Sequence, residues 1–343
     1  MKLAALIGTA QRDWEDLRSF VLEAERIGID SVWSAEFHGH DALTPLAFIA
    51  GQTKTIGLGT GVVTIGGRTL ATLAMSAVSL AAMSNGRFRL GLGANGREMI
   101  ENWQGARFHP ASTHLRETAE VVRRVASGLP LEYSGTIYRL PRDPAFALAM
   151  EEGLAASFPV YFASLSPKSL EATGAVADGW VGGASFGPEL AGYFLEAINR
   201  GARLSGRSLE RFDFMAPGFL FPNRDVALTA GRQFLVGLLG KQGDWAYSHH
   251  TAVYERAGYG DLITEIKGRL TSGSLEDAAR LLPESLVLNR CLTGTDEDIR
   301  QVLRSYRQSG VTTVQAVGLN PRLTRSIDPL TRVKALLDEV NAE

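Results

Sequence analysis

The chain has very little cysteine and no excess of either charge. Its one cysteine among 343 residues, Cys291, excludes an internal disulfide and any multi-cysteine zinc or iron–sulfur site. The 35 basic and 37 acidic residues leave a net charge of −2, so the sequence offers no basic surface for nucleic acid and no charged block for a membrane. We therefore expect neither a disulfide scaffold nor a nucleic-acid-binding protein.

Long hydrophobic runs are missing as well. The longest small-apolar stretch, residues 71–83, contains Ser76 and Ser79 and falls well short of the roughly 20 residues of a membrane span. The apolar run near the N-terminus ends before Arg12 and Asp13, which is too short for the core of a signal peptide. These features predict a cytoplasmic protein that does not interact with membranes.

Short apolar runs alternate with longer helical patterns along the chain, and hydrophobic residues make up 45% of it. Alternating strands and helices require parallel pairing with right-handed crossovers, and eight such units fit a closed barrel better than an open sheet. No linker or repeat divides the sequence, so we predict a single α/β domain over residues 1–343, a (β/α)8 TIM barrel with insertions at its C-terminal mouth. The predicted strands are residues 2–8, 30–35, 56–64, 87–93, 158–164, 179–182, 213–221 and 311–317.

The chain is longer than a plain barrel, which needs roughly 250 residues and leaves about 90 for insertions. We place these in the loop before His114, in residues 129–157 and in the long stretch after the seventh strand, all on the mouth side. The sequence YSGTIYRL at 133–140 predicts a small hairpin. Residues 94–108 and 222–295 are expected to select the substrate.

The loop after the second strand, EFHGHD, concentrates groups that exchange protons. In a barrel of this kind the chemistry lies where strands end, and imidazole both donates and accepts protons near neutral pH. We therefore predict Glu36, His38 and His40 as catalytic residues. The alternative is that Asp41 caps the next helix and His38 is a solvated loop residue.

A metal site is a second alternative for this loop, since histidines and carboxylates are common ligands. Barrel hydrolases also take histidines from later strands, but the strand ends after Ser164, Gly182 and Val317 carry none. The pair His249-His250 lies in an insertion rich in glycine, tryptophan and tyrosine and is not expected beside a strand end. We predict no metal site.

Two loops have features of anion binding. GLGANG at 91–96 matches G-x-G-x-x-G, but no acidic strand end follows about 20 residues later, which argues against a dinucleotide fold. The glycines would instead let backbone N–H groups approach an anion. After the fifth strand, ASLSPK at 163–168 places two hydroxyls and a proline at a helix N-terminus, where phosphate binds well. Simple capping of that helix by Ser166 is the alternative.

The third strand contains three glycines, Gly57, Gly59 and Gly61, in an apolar context. Glycine weakens a strand unless a ligand or another backbone comes close. A planar ring lying on this strand would explain the glycines, and so would close packing inside the barrel.

Taken together, these segments resemble the bacterial luciferase-like superfamily, and within it the coenzyme F420-dependent oxidoreductases similar to methylenetetrahydromethanopterin reductase. The resemblance covers almost the whole chain and depends on the order and spacing of the segments. They are SVWSAEFHGHDALTPLAFIA with GLGTGVV, SNGRFRLGLGANG, HLRETAEVVRRVASG with YSGTIYRL, and PVYFASLSPKSLEATGAVADGW.

The resemblance implies a flavin or deazaflavin at the C-terminal mouth, with a non-prolyl cis peptide between Gly61 and Val62 behind the ring. It also implies a small-molecule substrate and a homodimer formed through helices near the second and third strands. The phosphate is expected to be held by Asn95, Gly96, Ser164, Ser166 and Lys168.

The sequence departs from the family pattern at two positions. Phe37 and Gln104 stand where many relatives have histidine, which implies either altered acid–base groups or an unusual substrate. The run EFHGHDA resembles one large F420-type subgroup, and this resemblance makes His40 the preferred proton-handling residue. The resemblance implies an oxidoreductase that transfers a hydride between F420 and a small organic substrate. The alternatives are an FMN-dependent monooxygenase that uses O₂ and obtains reduced FMN from a flavin reductase, a metal-dependent barrel hydrolase, and a relative without catalytic activity.

Overall fold

The computed structural model describes residues 1–8, 13–240, 249–318 and 326–343. The strands are β1 (Lys2–Ile7), β2 (Ser31–Ser34), β3 (Gly57–Thr60), β4 (Val63–Thr64), β5 (Phe88–Gly93), β6 (Tyr133–Ser134), β7 (Arg139–Leu140), β8 (Val160–Ala163), β9 (Gly179–Val181), β10 (Asp213–Leu220) and β11 (Thr313–Gly318). The helices are α1 (Trp14–Arg26), α2 (Thr44–Ala50), α3 (Leu70–Met83), α4 (Ala111–Ala126), α5 (Pro167–Val176), α6 (Ala191–Leu204), α7 (Arg224–Gly240), α8 (His249–Tyr254), α9 (Gly260–Ser272), α10 (Leu275–Arg280), α11 (Glu284–Leu288), α12 (Asp296–Gln308) and α13 (Ile327–Ala342).

The main sheet closes on itself. Its parallel strands follow the order β1, β2, β3, β5, β8, β9, β10, β11, and β11 pairs with β1 through Lys2–Thr313 and the residues that follow. The short strand β4 continues the path of β3 and pairs with β5. The predicted (β/α)8 barrel is therefore confirmed.

Side chains alternate between the two faces of each barrel strand, as the pleat requires. In β1, Leu3 and Ala5 join the apolar layer between the sheet and the helices, whereas Ala4 and Leu6 point into the barrel. The helices bury their apolar stripes in the outer layer; α1 begins where the side chain of Asp13 accepts hydrogen bonds from the N–H groups of Glu15 and Asp16.

The third strand is interrupted, although the sequence predicts one run over 56–64. β3 ends at Thr60 and β4 begins at Val63, and the peptide bond between Gly61 and Val62 is cis. The resemblance implied a cis bond at this position, and the structure confirms it.

One insertion is attached differently from the prediction. Residues 129–157 follow helix α4 and precede β8, so they leave from the end of a helix rather than from a strand end on the mouth side. The expected hairpin is present as the antiparallel pair β6 and β7. It packs along α4, where the buried carboxylate of Glu117 accepts hydrogen bonds from the N–H groups of 136–138. The prediction was wrong because length arithmetic cannot tell which end of a helix an insertion follows.

The stretch after β10 contains helices α7 to α11, and His250 on α8 contacts the loop after β9. Residues 241–248 of this predicted substrate-selecting region lie outside the described residues. No helix in the described ranges is both long and apolar enough to cross a membrane.

Candidate active site

The floor of the barrel mouth is apolar. Inside the barrel, Trp33, Tyr161 and Met215 are buried in contact with one another. The half-buried side chains that pack on this layer are Leu6, Val62 and Ala163, which come from β1, from the segment between β3 and β4, and from β8. They lie near the carboxyl ends of these strands, the end of the barrel at which ligands bind in this fold.

Two of the three glycines in the third strand are explained by packing. A Cβ on Gly59 would overlap the indole of Trp33, and a Cβ on Gly57 would overlap the guanidinium of Arg89. A Cβ on Gly61, by contrast, would meet its nearest neighbour, the indole of Trp33, at 3.5 Å, an ordinary contact. Packing therefore accounts for Gly57 and Gly59, whereas Gly61 borders the open mouth of the barrel.

The glycines of the G-x-G-x-x-G segment divide in the same way. A Cβ on Gly91 would overlap the carbonyl oxygen of Thr60, and one on Gly93 would overlap the side chain of Val62. Both positions let the third strand lie close against β5. Gly96 has no described atom within 4 Å of its Cβ position, so packing does not explain this glycine.

Gln315 on β11 brings an amide into the apolar interior. Its neighbours Val314 and Ala316 point outward into the helix-facing layer, so Gln315 points into the barrel. It is 5% exposed, and its Nε2 atom lies 3.7 Å from the Cβ position of Gly61. Within the described ranges this Nε2 has no hydrogen-bond partner. Sequence reasoning missed Gln315; the only signal was one amide in the apolar run VQAVG.

Glu36 is paired with a residue that the sequence did not single out. Its carboxylate accepts hydrogen bonds of 2.9 and 2.7 Å from the two terminal nitrogens of Arg68, and a third of 2.9 Å from the N–H of Thr64. The hydrogen bonds with Glu36 raise the pKa of Arg68 above its ordinary value, although partial burial opposes this. Because these three donors hold the carboxylate in place, Glu36 links the loop after β2 to Thr64 on β4 and to Arg68 on the loop that follows.

Thr64 also connects Glu36 to the predicted phosphate loop. The Thr64 hydroxyl accepts a 2.6 Å hydrogen bond from the side-chain amide of Asn95. Asn95 has a positive φ of 51°, a conformation that asparagine tolerates better than most residues. The structure thus brings two predicted site residues, Glu36 and Asn95, into one hydrogen-bond network across three loops.

The two histidines of the EFHGHD loop are exposed and contact different elements. The ring of His38 lies between those of Phe37 and Trp103, with centroid distances of 4.3 and 5.6 Å. The ring of His40 lies 5.1 Å from that of Trp14, at the start of α1.

Asp41 follows the capping alternative. Its carboxylate accepts 2.9 Å hydrogen bonds from the N–H groups of Leu43 and Thr44, where α2 begins. Burial raises the pKa of Asp41, but these hydrogen bonds and the charge of Arg68 outweigh it, so that the pKa is lowered overall.

The loop after β8 mixes structural and available groups. The buried hydroxyl of Ser164 shares a 2.8 Å hydrogen bond with Thr173 on α5, so it is engaged inside the protein. Ser166 caps α5 by accepting from the N–H of Ser169, as the capping alternative expected. Lys168 is exposed in the first turn of α5. Of the three residues predicted to bind phosphate here, Lys168 is the charged one, and its side chain is exposed.

The pair His249-His250 lies in an insertion, as the sequence predicts, but its second member contacts the loop after a barrel strand. His250 on α8 shares a 3.0 Å hydrogen bond with the hydroxyl of Ser185, four residues beyond β9. Burial, with a smaller contribution from His249, lowers the pKa of His250 to about 4. The separation in sequence hid a contact that depends on α8 folding back over the barrel.

A buried arginine anchors the same region. Arg290 is 1% exposed and donates hydrogen bonds to the carbonyl of Ser185, the hydroxyl of Tyr254 and the carboxylate of Glu189. The contacts join α8 and the segment after α11 to the loop after β9. In the described part of the chain, no group of three or more histidine, cysteine, aspartate or glutamate residues could hold a metal ion.

Comparisons with known proteins agree with this architecture. Residues 1–313 match the family model described as luciferase-like monooxygenase. A Mycobacterium tuberculosis protein provisionally named coenzyme F420-dependent oxidoreductase is 31% identical over 85% of this chain and 87% of its own length. The 5,10-methylenetetrahydromethanopterin reductase of Archaeoglobus fulgidus is 25% identical over 88% of this chain and 89% of its own.

A solved structure shares the fold. The coenzyme F420-dependent tetrahydromethanopterin reductase from Methanopyrus kandleri superimposes with a TM-score of 0.75 at 20% identity and covers 96% of this chain and 97% of that one.

Proposed function

Since the chain belongs to the luciferase-like monooxygenase family, we propose that it is a coenzyme F420-dependent oxidoreductase that exchanges a hydride with a small organic substrate. The observation that carries this proposal is the apolar mouth floor of Leu6, Val62 and Ala163, together with Gly61 and the Nε2 atom of Gln315, which has no hydrogen-bond partner among the described residues. The names of the relatives support F420 as the ring that lies there.

The residues at the mouth fit a planar heterocycle. An apolar surface binds the face of a ring, and a single buried amide can bind a polar group on its edge. The deazaflavin, when bound, supplies the two-electron hydride chemistry. Gly61 lets the ring approach the backbone closely, since no Cβ stands between them. We assign the phosphate end to Asn95 and Gly96, on the loop after β5, and to Lys168, in the first turn of α5.

The protein must also handle the proton that accompanies hydride transfer. Reduction of a carbonyl adds a hydride to carbon and a proton to oxygen, and oxidation of the alcohol removes both. Of the residues predicted for this step, we assign the proton to His40, with His38 as the second choice, since both imidazoles are exposed at the rim. Glu36 holds Arg68 and Thr64, and we assign it the orientation of these loops.

Fluorescence titration of the purified protein with F420 tests the cofactor. Saturable binding is expected, followed by reduction of bound F420 by a secondary alcohol or its reoxidation by a ketone, measured as a change in absorbance. If the protein binds FMN tightly and produces no spectral change with F420, the proposal fails.

An FMN-dependent monooxygenase is the second candidate, because the matching family is described by that activity. Such an enzyme would take reduced FMN from a separate reductase. Measuring the protein's oxygen consumption with photoreduced FMN, and again with reduced F420 in its place, separates the two candidates.

We also propose that two copies associate through α3. The helix sequence LATLAMSAVSLAAM contains no charged residue, yet Met75 and Met83 are 53% and 48% exposed. Such an uncharged exposed face suits contact with another apolar surface. Light scattering should show a dimer that M75E weakens. The matched variant L204E changes an exposed leucine on α6 and should leave the dimer intact; a monomeric wild type would refute the proposal.

A further inference from the structure

We propose that Gln315 binds the edge of the cofactor ring, with its Nε2–H donating a hydrogen bond to a ring carbonyl oxygen. This inference rests on the proposed function, because it assumes that the ring lies over Gly61. It assigns a binding role to the last barrel strand, which the sequence analysis did not connect with the site.

The position of Gln315 within the barrel is unusual for an amide. The side chains around it are apolar, and the aromatic floor of Trp33 lies within 3.7 Å of the same Gly61 Cβ position that Nε2 approaches at 3.7 Å. Buried amides nearly always have hydrogen-bond partners, and each exception needs an explanation. Here the Nε2 atom has none among the residues that the structure describes.

The inward-facing polar residue nearest along the same strand behaves differently. Thr313, two residues earlier on β11, also points into the barrel, and its hydroxyl donates a 2.7 Å hydrogen bond to Asp213. The protein thus satisfies the polar group deeper in the barrel and leaves the one nearer the mouth without a partner. This contrast indicates that Gln315 serves a ligand rather than the barrel.

The chemistry of the ligand follows from the donor. A neutral N–H group in an apolar surrounding favours a neutral acceptor such as a carbonyl oxygen or ring nitrogen. The pyrimidine-dione edge that deazaflavins and flavins share carries such oxygens. Gly61 and Val62 would then contact the face of the ring, and Gln315 would fix its rotation in the plane.

Three variants test the assignment. Q315M keeps the approximate shape but removes the donor, Q315E replaces the amide by an acceptor, and Q301M changes an exposed glutamine on α12 as the control. Each is titrated with F420 by fluorescence, and the absorption band of the bound ring is recorded. Q315M should raise Kd by about 3- to 10-fold, the value of one neutral hydrogen bond. Q315E should raise it at least as much, and Q301M should leave it unchanged.

Stability provides a readout that separates binding from a structural role. Q315M removes an unpaired buried donor, so its Tm without cofactor should equal or exceed that of the wild type. Weaker binding together with equal or higher stability supports the proposal, as does loss of the band shift in Q315M.

The results that overturn the proposal are equally specific. If wild type binds F420 and Q315M binds it with the same Kd and spectrum, Gln315 does not contact the ring. If Q315M loses affinity only in proportion to a fall in Tm, the residue is structural. If wild type binds neither F420 nor FMN, the proposed function and this inference both fail.

Discussion

The carboxylate of Glu36 and the guanidinium of Arg68 form a two-point ion pair, with hydrogen bonds of 2.7 and 2.9 Å. Their side chains are 12% and 21% exposed, so water screens the pair only partly. The pair joins the loop after β2 to the loop after β4, on either side of the third strand's cis bond. It makes Glu36 an anchor of the mouth.

The substitution E36Q keeps the size of the side chain and removes its charge. We expect the free energy of unfolding to fall by about 1–3 kcal/mol, because Arg68 loses its ionic partner in a partly buried position. Urea unfolding at neutral pH measures the change. E15Q, which breaks the exposed pair between Glu15 and Arg18 on α1, is the control and should have little effect. Equal losses for both variants would contradict the anchoring role.

A methyl group added at Gly59 should destabilise the barrel. G59A places a Cβ inside the indole of buried Trp33, and relieving such overpacking costs about 1–3 kcal/mol. Thermal unfolding checks this. G192A, at an exposed helical position with no neighbour near its Cβ, should instead stabilise by about 0.5–1 kcal/mol. A neutral G59A would mean that Trp33 can move aside, and the packing account of this glycine would be wrong.

Stability should fall in mild acid because of His114. This side chain is 4% exposed; burial, and to a lesser degree His109, lower its pKa to about 4, although Glu117 opposes them. The imidazole takes up its proton more readily in the unfolded chain, where the pKa is about 6.5. Its contribution is therefore complete above pH 6.5 and is lost as pH falls towards 4, by about 2 kcal/mol at pH 5.

The variant H114Q has no titrating group at this position, so its unfolding free energy should decline less than that of the wild type between pH 8 and pH 5. Guanidinium unfolding at several pH values measures both slopes. Burial also lowers the pKa of His250, so acid destabilises the folded protein through this residue as well. Because His250 is present in both proteins, the unfolding free energy of the variant still falls in acid, but with a smaller slope. Parallel curves would show that His114 does not carry the effect.

Lys168 should matter for the phosphate part of a cofactor and not for its ring. K168M removes an exposed charge at the start of α5, and we expect the Kd for F420 to rise by about 3- to 10-fold at low salt. The deazaflavin core without its phosphate chain should bind wild type and variant equally. Fluorescence titrations at two salt concentrations measure both. If the variant loses affinity for the bare ring as well, Lys168 acts elsewhere.

Much of the fold could be predicted from the sequence. Apolar runs such as KLAALI and the spacing in α1 follow the periods of strands and helices, which are local properties of the backbone. The cis bond between Gly61 and Val62 came from the family resemblance alone, and the division of the third strand there was not predicted, since nothing in the local spacing requires it. The attachment of residues 129–157 was mispredicted, because apolar periodicity does not say where an insertion packs.

The site was predicted as loops more successfully than as side chains. EFHGHD, GLGANG and ASLSPK all follow barrel strands at the mouth, as their order in the chain implied. The roles of their members were not visible, however, because partners such as Arg68 for Glu36 and Thr173 for Ser164 come from other segments.

The sequence by itself determined the alternation of strands and helices, and with it a parallel barrel, because apolar spacing dictates which face of each element must be buried. Only the tertiary structure decided which polar groups are satisfied. Glu36 and Ser185 acquire partners from segments distant in sequence, whereas Nε2 of Gln315 has none among the described residues. Barrel closure alone makes β11 adjacent to β1. Hydrogen bonding depends on distances of a few tenths of an ångström, which no sequence pattern specifies.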